Sequence, residues 1–183
     1  MVRIIGGGAK GCRLFMPRHS RVRPTTGRVK ESLFNILGPL ENKSFLDLFA
    51  GTGSIGIEAL SRGAANSVFI EKDPVMVEAL KRNLRKCGFE SRGEVMAMTV
   101  AKGVSLLERR GTFFDIAFAD PPYGEGYVDG TLRLLSRGAL LAPGGVVVVQ
   151  HSLKEEFPAC PENMVLIDQR RYGDTGISVF TGC

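Results

Sequence analysis

Three stretches of this chain carry side chains whose types and spacing suit the transfer of a small group. The first is LDLFAGTGSIG over residues 46–56. It sets Asp47 near the end of an apolar run, and Gly51 and Gly53 then allow a tight turn with close backbone approach to a ligand. Gly56 allows close packing at the start of the next helix. Gly-Lys-Ser/Thr is absent, so this is not a phosphate-cradling Walker loop. An acid ahead of the glycines also departs from the dinucleotide fingerprint. It suits a ligand with a cationic amine, such as the methionine part of S-adenosylmethionine. The second stretch holds Glu71, with Lys72 and Asp73 in the same turn. An acid some twenty residues after such a loop can accept from both hydroxyls of a ribose. The third is Asp120-Pro121-Pro122-Tyr123. Two prolines fix the backbone and remove N–H donors, leaving carbonyls and a carboxylate to accept hydrogens from an amino group. Tyr123 offers a face on which a base can stack.

Each of these stretches lies where a strand gives way to a turn. Apolar runs at 45–49, 67–71, 94–100, 114–119 and 145–150 read as strands, and segments near Met164–Arg170 and Gly176–Phe180 as two more. Between them, helical spacing predicts helices over Ser54–Arg62, Pro74–Lys86, Lys102–Arg109 and Tyr127–Ser136. Thr25 or Thr26 can cap an earlier helix reaching Leu37. Alternation of this kind implies an α/β fold: a mostly parallel seven-stranded sheet with helices on both faces. Ligands in such sheets bind outside the carboxyl ends of the strands, where strand order reverses. Ahead of this pattern, Arg3-Ile4-Ile5 and Cys12-Arg13-Leu14-Phe15 flank a Gly-rich turn and read as a small β-hairpin extension.

The 183 residues suit a single domain, with a basic N-terminal extension at 1–27 and a catalytic core at 28–183. Cys12, Cys87, Cys160 and Cys183 show no zinc spacing and, with only His19 and His151 besides, no metal is expected. No apolar run is long enough to span a bilayer and no signal-peptide core is evident, so the expected location is cytoplasmic, with no membrane partner. The formal charge of +5 is concentrated at the start. Residues 1–30 hold Arg3, Lys10, Arg13, Arg18, Arg21, Arg23, Arg28 and Lys30 without an Asp or Glu, an electrostatic footprint for nucleic-acid phosphate. Other residues have plainer readings. His19 reads as a loop residue at phosphate or solvent, His151 as structural, Met76, Met96 and Met98 as core, and Tyr172 as packed in the sheet.

LDLFAGTGSIG together with DPPY resembles the class I, Rossmann-like methyltransferases that modify exocyclic amines. More specifically, RIIGG at 3–7, RPTTGRVKESLFNIL at 23–37, GIEALSRGA at 56–64 and RYGDT at 171–175 closely resemble the RsmD family. The resemblance covers nearly the whole chain. It implies methylation of N2 of one guanine in 16S ribosomal RNA, within a partly assembled small subunit, with S-adenosylmethionine as donor and S-adenosylhomocysteine as product. By position it places Asp47, Phe49, Ala50, Gly51, Thr52, Gly53, Ser54 and Gly56 at the methionine end of the cofactor. Glu71 with Lys72 falls at its ribose, and Ala101 at its adenine. Many methyltransferases carry an acid or Asn at that last place, and Thr99–Gly103 has none, so the expected adenine contact is to backbone. Asp120, Pro121, Pro122 and Tyr123 fall at the target guanine. Arg3, Lys10, Arg13, Arg21, Arg23, Thr25, Arg28 and Lys30 fall at the RNA.

Two other readings stand beside this one. An adenine-N6 methyltransferase of DNA uses a similar acid-Pro-Pro-aromatic element, though the chain has no room for a separate DNA-reading domain. A non-catalytic RNA-binding ribosome-assembly factor would share the basic start and lack turnover. A monomer is the simplest assembly.

Overall fold

The computed structural model describes residues 2–17, 26–122, 126–137, 140–154, 160–161 and 163–182. In chain order the elements are α1 (Gly27–Leu37), β1 (Ser44–Leu48), α2 (Ser54–Ser61), β2 (Asn66–Glu71), α3 (Pro74–Cys87), β3 (Gly93–Ala97), α4 (Val100–Arg109), β4 (Phe114–Ala119), α5 (Tyr127–Arg137), β5 (Leu141–Ser152), β6 (Met164–Tyr172) and β7 (Thr175–Gly182). The strands form a seven-stranded sheet ordered β3-β2-β1-β4-β5-β7-β6. Strands β1 to β5 pair in parallel, while β7 runs antiparallel to both β5 and β6. This is the expected Rossmann-like methyltransferase architecture. Strand order reverses between β1 and β4, so the crevice at their carboxyl ends is the natural ligand site.

Period-two alternation sends successive strand residues to opposite faces. Phe45, Phe69, Ile116, Phe118 and Val148 pack with Leu33, Phe34, Ile57, Leu60, Leu80 and Leu84 of α1, α2 and α3. Their strand neighbours Leu46, Leu48, Val68, Ile70, Ala117, Val147 and Val149 pack with Val104, Leu107, Val128, Leu132 and Leu135 of α4 and α5. Each face thus buries its own core, and the sheet between them holds the turns above. Local signals set the helix ends. Thr26 rather than Thr25 caps α1, its hydroxyl accepting from Val29 N. Asp73 caps α3 ahead of Pro74, and Gly88, at φ 75°, closes it.

Two elements differ from their sequence expectation. The strand expected over 94–100 ends at Ala97, because Thr99 takes an extended conformation and starts α4 at Val100. The strand expected at 145–150 begins at Leu141 and reaches Ser152. Pro143 and Gly144, ahead of the expected strand, lie with Gly145 inside β5 at a break in register with β4. A Cβ on Gly145 would stand 2.8 Å from the Ala142 carbonyl oxygen and 2.9 Å from that of Phe114, so the strand kinks there on a residue without one.

The N-terminal hairpin forms around the antiparallel Arg3–Arg13 bridge, with Ile4 N donating to Cys12 O and Leu14 N to Val2 O. Its turn is fastened to α2 rather than left in solvent. Ile5 N and Gly6 N donate to the two carboxylate oxygens of Glu58 at 2.9 and 2.7 Å, and Gly8 N donates to Ser61 O. Beyond the turn, Asn83 of α3 accepts from Phe15 N and donates to the carbonyls of Phe15 and Thr52. The extension is therefore tied to the glycine loop by one buried amide.

Candidate functional site

The turns after β1, β2, β3 and β4 open into one cleft of about 920 Å³. Phe49 and Gly51 line it from the first turn and Glu71, Lys72 and Asp73 from the second. Met98 to Ala101 line it from the third and Asp120, Pro121 and Pro122 from the fourth. Helix α5 closes one side with Tyr127, Gly130, Thr131 and Leu134.

The first turn is shaped by backbone strain and by two carboxylates. Phe49 adopts φ 61°, a left-handed conformation that a non-glycine residue enters only when its surroundings hold it there. Its ring meets Tyr127 edge-on, centroids 6.5 Å apart. Glu71 Oε2 accepts from Gly51 N at 2.8 Å and Oε1 from Asp73 N at 2.8 Å, so this carboxylate braces both turns and keeps lone pairs toward the cleft. Asp47 Oδ2 accepts from Gly56 N at 2.8 Å, joining the end of β1 to α2. The glycines divide the labour. A Cβ on Gly53 would lie 2.1 Å from Leu80 Cδ1, whereas one on Gly51 would meet nothing within 4 Å. Gly53 is required by packing, and Gly51 leaves room on the cleft side.

Charge in the cleft is predominantly negative. Burial pushes the Asp47 carboxyl up to about 7 against the Gly56 hydrogen bond, with Asp120 and Glu71 adding repulsion. Burial likewise pushes Asp120 up to about 7, opposed by a hydrogen bond from Gln150. Three carboxylates gathered this way favour a ligand that brings positive charge. The rest of the wall is apolar, through Ile70, Met76, Met98, Val100 and Leu134, and suits a flat aromatic ring.

Of the residues expected at a cofactor, Phe49, Gly51, Glu71, Lys72 and Ala101 line the cleft. Asp47, Ala50 and Thr52 are buried behind it, and Gly56 packs against the Phe69 ring. Gly53 and Ser54 also fall outside the lining residues. Asp120, Pro121 and Pro122 line the cleft, while Tyr123 lies outside the described residues. Met76 and Met98 pack in the core as expected, and both also line this cleft. Sequence reading does not single out Tyr127, Gly130, Thr131 or Leu134. Their i, i+3, i+4, i+7 spacing is the available signal for one helix face.

The basic residues divide differently. Arg3, Lys10, Arg13 and Arg28 are exposed, and Arg21, Arg23 and Thr25 lie outside the described residues. Lys30, expected at the RNA, is instead 1% exposed. Its Nζ sits 3.4 Å from Glu58 Oε2 and donates to the carbonyls of Arg3 and Ser54, so its charge is spent inside the fold. Other cations lie exposed nearby. Lys81, Arg82, Arg85 and Lys86 form an exposed row on α3. The extension packs along that row, with the Arg82 guanidinium 4.2 Å from the Phe15 ring centroid and Lys86 Nζ donating to Arg13 O at 2.6 Å. Asp73 and Met76 at the start of α3 line the cleft, and Lys86 lies about 18 Å further along the helix.

Comparison with known proteins agrees with this geometry. The family described as "Conserved hypothetical protein 95" matches residues 2–181. Ribosomal RNA small subunit methyltransferase D of Escherichia coli K12 is 34% identical over 180 residues, covering 98% of this chain and 89% of that protein. The protein of the same name from Haemophilus influenzae is 36% identical over 175 residues, covering 94% and 89% respectively. A hypothetical protein of Thermus thermophilus superposes with a TM-score of 0.84 at 34% identity, covering 98% of both chains. With the cleft at the switch point, the Asp-Pro-Pro turn and a match running nearly end to end, the chain belongs to the RsmD family of methyltransferases.

Proposed function

We propose that this protein transfers a methyl group from S-adenosylmethionine to the exocyclic N2 amine of a guanine in 16S ribosomal RNA, within a partly assembled small subunit. The observation that carries the reading is Asp120-Pro121-Pro122 at the end of β4, opening on the same cleft as Glu71 and Gly51. The names of the RNA-modifying relatives support the ribosomal target.

The cleft suits the donor. Glu71 has acceptor capacity left for ribose hydroxyls, Gly51 leaves room for close approach, and the apolar wall by Met98 to Ala101 suits adenine. The carboxylates Asp47 and Glu71 suit its positive charges. When bound, it supplies an electrophilic methyl group on a sulfonium. The remaining work falls to this chain. A ring amine is a weak nucleophile because its lone pair is delocalised, so orientation and charge relief govern the rate. The Asp120 carboxylate and the Pro121 carbonyl accept the amine hydrogens and aim the nitrogen lone pair at the methyl group. Because prolines have no N–H, the turn presents no competing backbone donor at Pro121 or Pro122. Tyr123 stacks on a base drawn out of its helix. The extension at 1–27 and the basic row of α3 hold the RNA backbone beside the cleft.

Incubation with methyl-labelled S-adenosylmethionine, using small subunits lacking native modification, naked rRNA or duplex DNA, tests this directly. Label recovered as N2-methylguanosine is expected, with subunits the better substrate. Label recovered only in adenine of DNA would replace the reading. Cofactor binding without transfer to any of these would leave the family and remove the target. The RNA footprint has its own test. Neutralising Arg13, Arg82, Arg85 and Lys86 together is expected to weaken RNA binding and reduce the slope of log K against log salt by about 3, since each phosphate contact contributes about 0.7–0.9. An unchanged slope would exclude this face.

A further inference from the structure

A buried amide beside the reacting carboxylate makes its hydrogen bond, among the described residues, to that carboxylate alone. Gln150 lies near the end of β5, one residue past Val149, which pairs with Ala119 of β4. It is 4% exposed and follows the run Val146 to Val149. Its Nε2 donates to Asp120 Oδ2 at 3.0 Å. Its Oε1 is buried and has no hydrogen-bond partner among the described residues. An orphaned acceptor in a core is destabilising, and native structures keep few of them. A methionine or leucine would fill the same space without that cost. Against the ionised Asp120 the amide has one tolerable orientation, because reversing it would press Oε1 against the carboxylate. The site accepts an unpartnered oxygen so that an N–H faces Asp120.

We propose that Gln150 is a positioning residue for the transfer, its amide holding Asp120 in the ionised and oriented form that accepts hydrogen from the substrate amine. The proposal rests on the methyl-transfer reading above. Nε2 occupies Oδ2 and leaves Oδ1 to serve the amine. Donation to a carboxylate favours its ionised form, which opposes the upward push of burial on Asp120. Among the described residues, the other ionisable groups around this end of the sheet are Asp47 on β1, Glu71 and Lys72 after β2, Asp73 before α3 and Tyr127 on α5. None of them donates a hydrogen bond to Asp120 among the described residues. His151, next along β5, is engaged with Ser178 Oγ of β7. Gln150 is thus the group that keeps Asp120 usable as an acceptor near neutral pH.

Gln150→Met and Gln150→Glu test this. The first removes the donor and the orphan together, and the second places an acid against Asp120. In both, the acid limb of the kcat–pH profile is expected to move upward, by about one pH unit for Gln150→Met and further for Gln150→Glu. Turnover of Gln150→Met at pH 7 should fall about five-fold and return toward wild type by pH 9, with KM for the cofactor within about two-fold. Its Tm should not fall below wild type. Carboxyl carbon NMR of the protein without substrate should show Asp120 titrating higher in both variants, so the inference is readable even if the RNA target is wrong. A pH-independent loss of turnover, a lower Tm with no change in the profile, or an unmoved Asp120 titration would each overturn it.

Discussion

Asp120→Ala is expected to lower turnover by about 10²–10³-fold, the scale seen when one donor or acceptor at a reacting centre is removed, while changing cofactor affinity by less than about two-fold. The asymmetry follows from the geometry. Asp120 ends β4, whereas Glu71, Gly51 and the apolar wall hold the part of the cleft assigned to the cofactor. A loss of affinity as large as the loss of turnover would remove Asp120 from its role. In the wild type, turnover should rise with pH through about 7, because only the ionised carboxylate accepts two hydrogens and burial holds this carboxyl at about 7. Stability should move the other way. The folded-state pKa lies above the ordinary carboxylate value of about 3.9, so the folded protein holds this proton more tightly than the unfolded chain. The stability so gained is complete below about pH 4 and is lost as pH rises through about 7. Asp120→Asn, which never ionises, should therefore match the wild type in Tm near pH 4 and exceed it by on the order of 10 °C at pH 8, as expected where a functional carboxylate is held against its surroundings. Thermal melts across that range check it.

The turns of the site are legible in the sequence because their chemistry is local. Asp47, Gly51, Glu71 and Asp120 each lie within a few residues of a strand end that apolar alternation marks, and parallel strands bring such ends to one edge. What the sequence hides depends on contacts between distant segments. Lys30 reads as an RNA contact because it lies in a basic block. By helical spacing, though, it shares a face with Leu33, Phe34 and Leu37. Its partner, Glu58, also interrupts an apolar helix, between Ile57 and Ala59. Each charge alone looks misplaced, and only the packing of α1 on α2 shows that they neutralise each other. The basic row of α3 escapes notice for the opposite reason. A lysine- and arginine-rich helix face reads as a solvated surface until the extension is seen lying along it. The part of β5 before Gly145 is hidden because proline and glycine mark turns as well as bulges, and pairing on both sides of the kink shows the strand running through.

Glu58→Ala should be the most destabilising single substitution considered, lowering Tm by on the order of 10 °C. Breaking a buried ion pair from one side costs about 3–5 kcal/mol, and a domain of this size loses about 2–4 °C per kcal/mol. The side chain is 0% exposed and gathers Lys30, the Arg62 guanidinium at 2.9 Å, and the backbone N–H groups of Ile5 and Gly6. Its removal strands the Lys30 ammonium, whose pKa burial already lowers, and leaves two backbone donors without an acceptor. Lys30→Met should cost less, because Glu58 keeps Arg62 and both backbone donors. Equal losses in the two variants would mean that the ion pair, not the backbone clasp, dominates. The clasp also links stability to substrate binding. Ile5 and Gly6 begin the turn that carries Lys10 and leads to Arg13, so releasing them loosens the extension on α2, where Ser61 still holds Gly8 and Ala9, without touching the cleft. Glu58→Ala at a temperature where it remains folded should bind cofactor normally, expose residues 2–17 to limited proteolysis, and show a reduced salt slope for RNA. If RNA binding kept its full slope with the extension released, the phosphate contacts would belong to α3 alone.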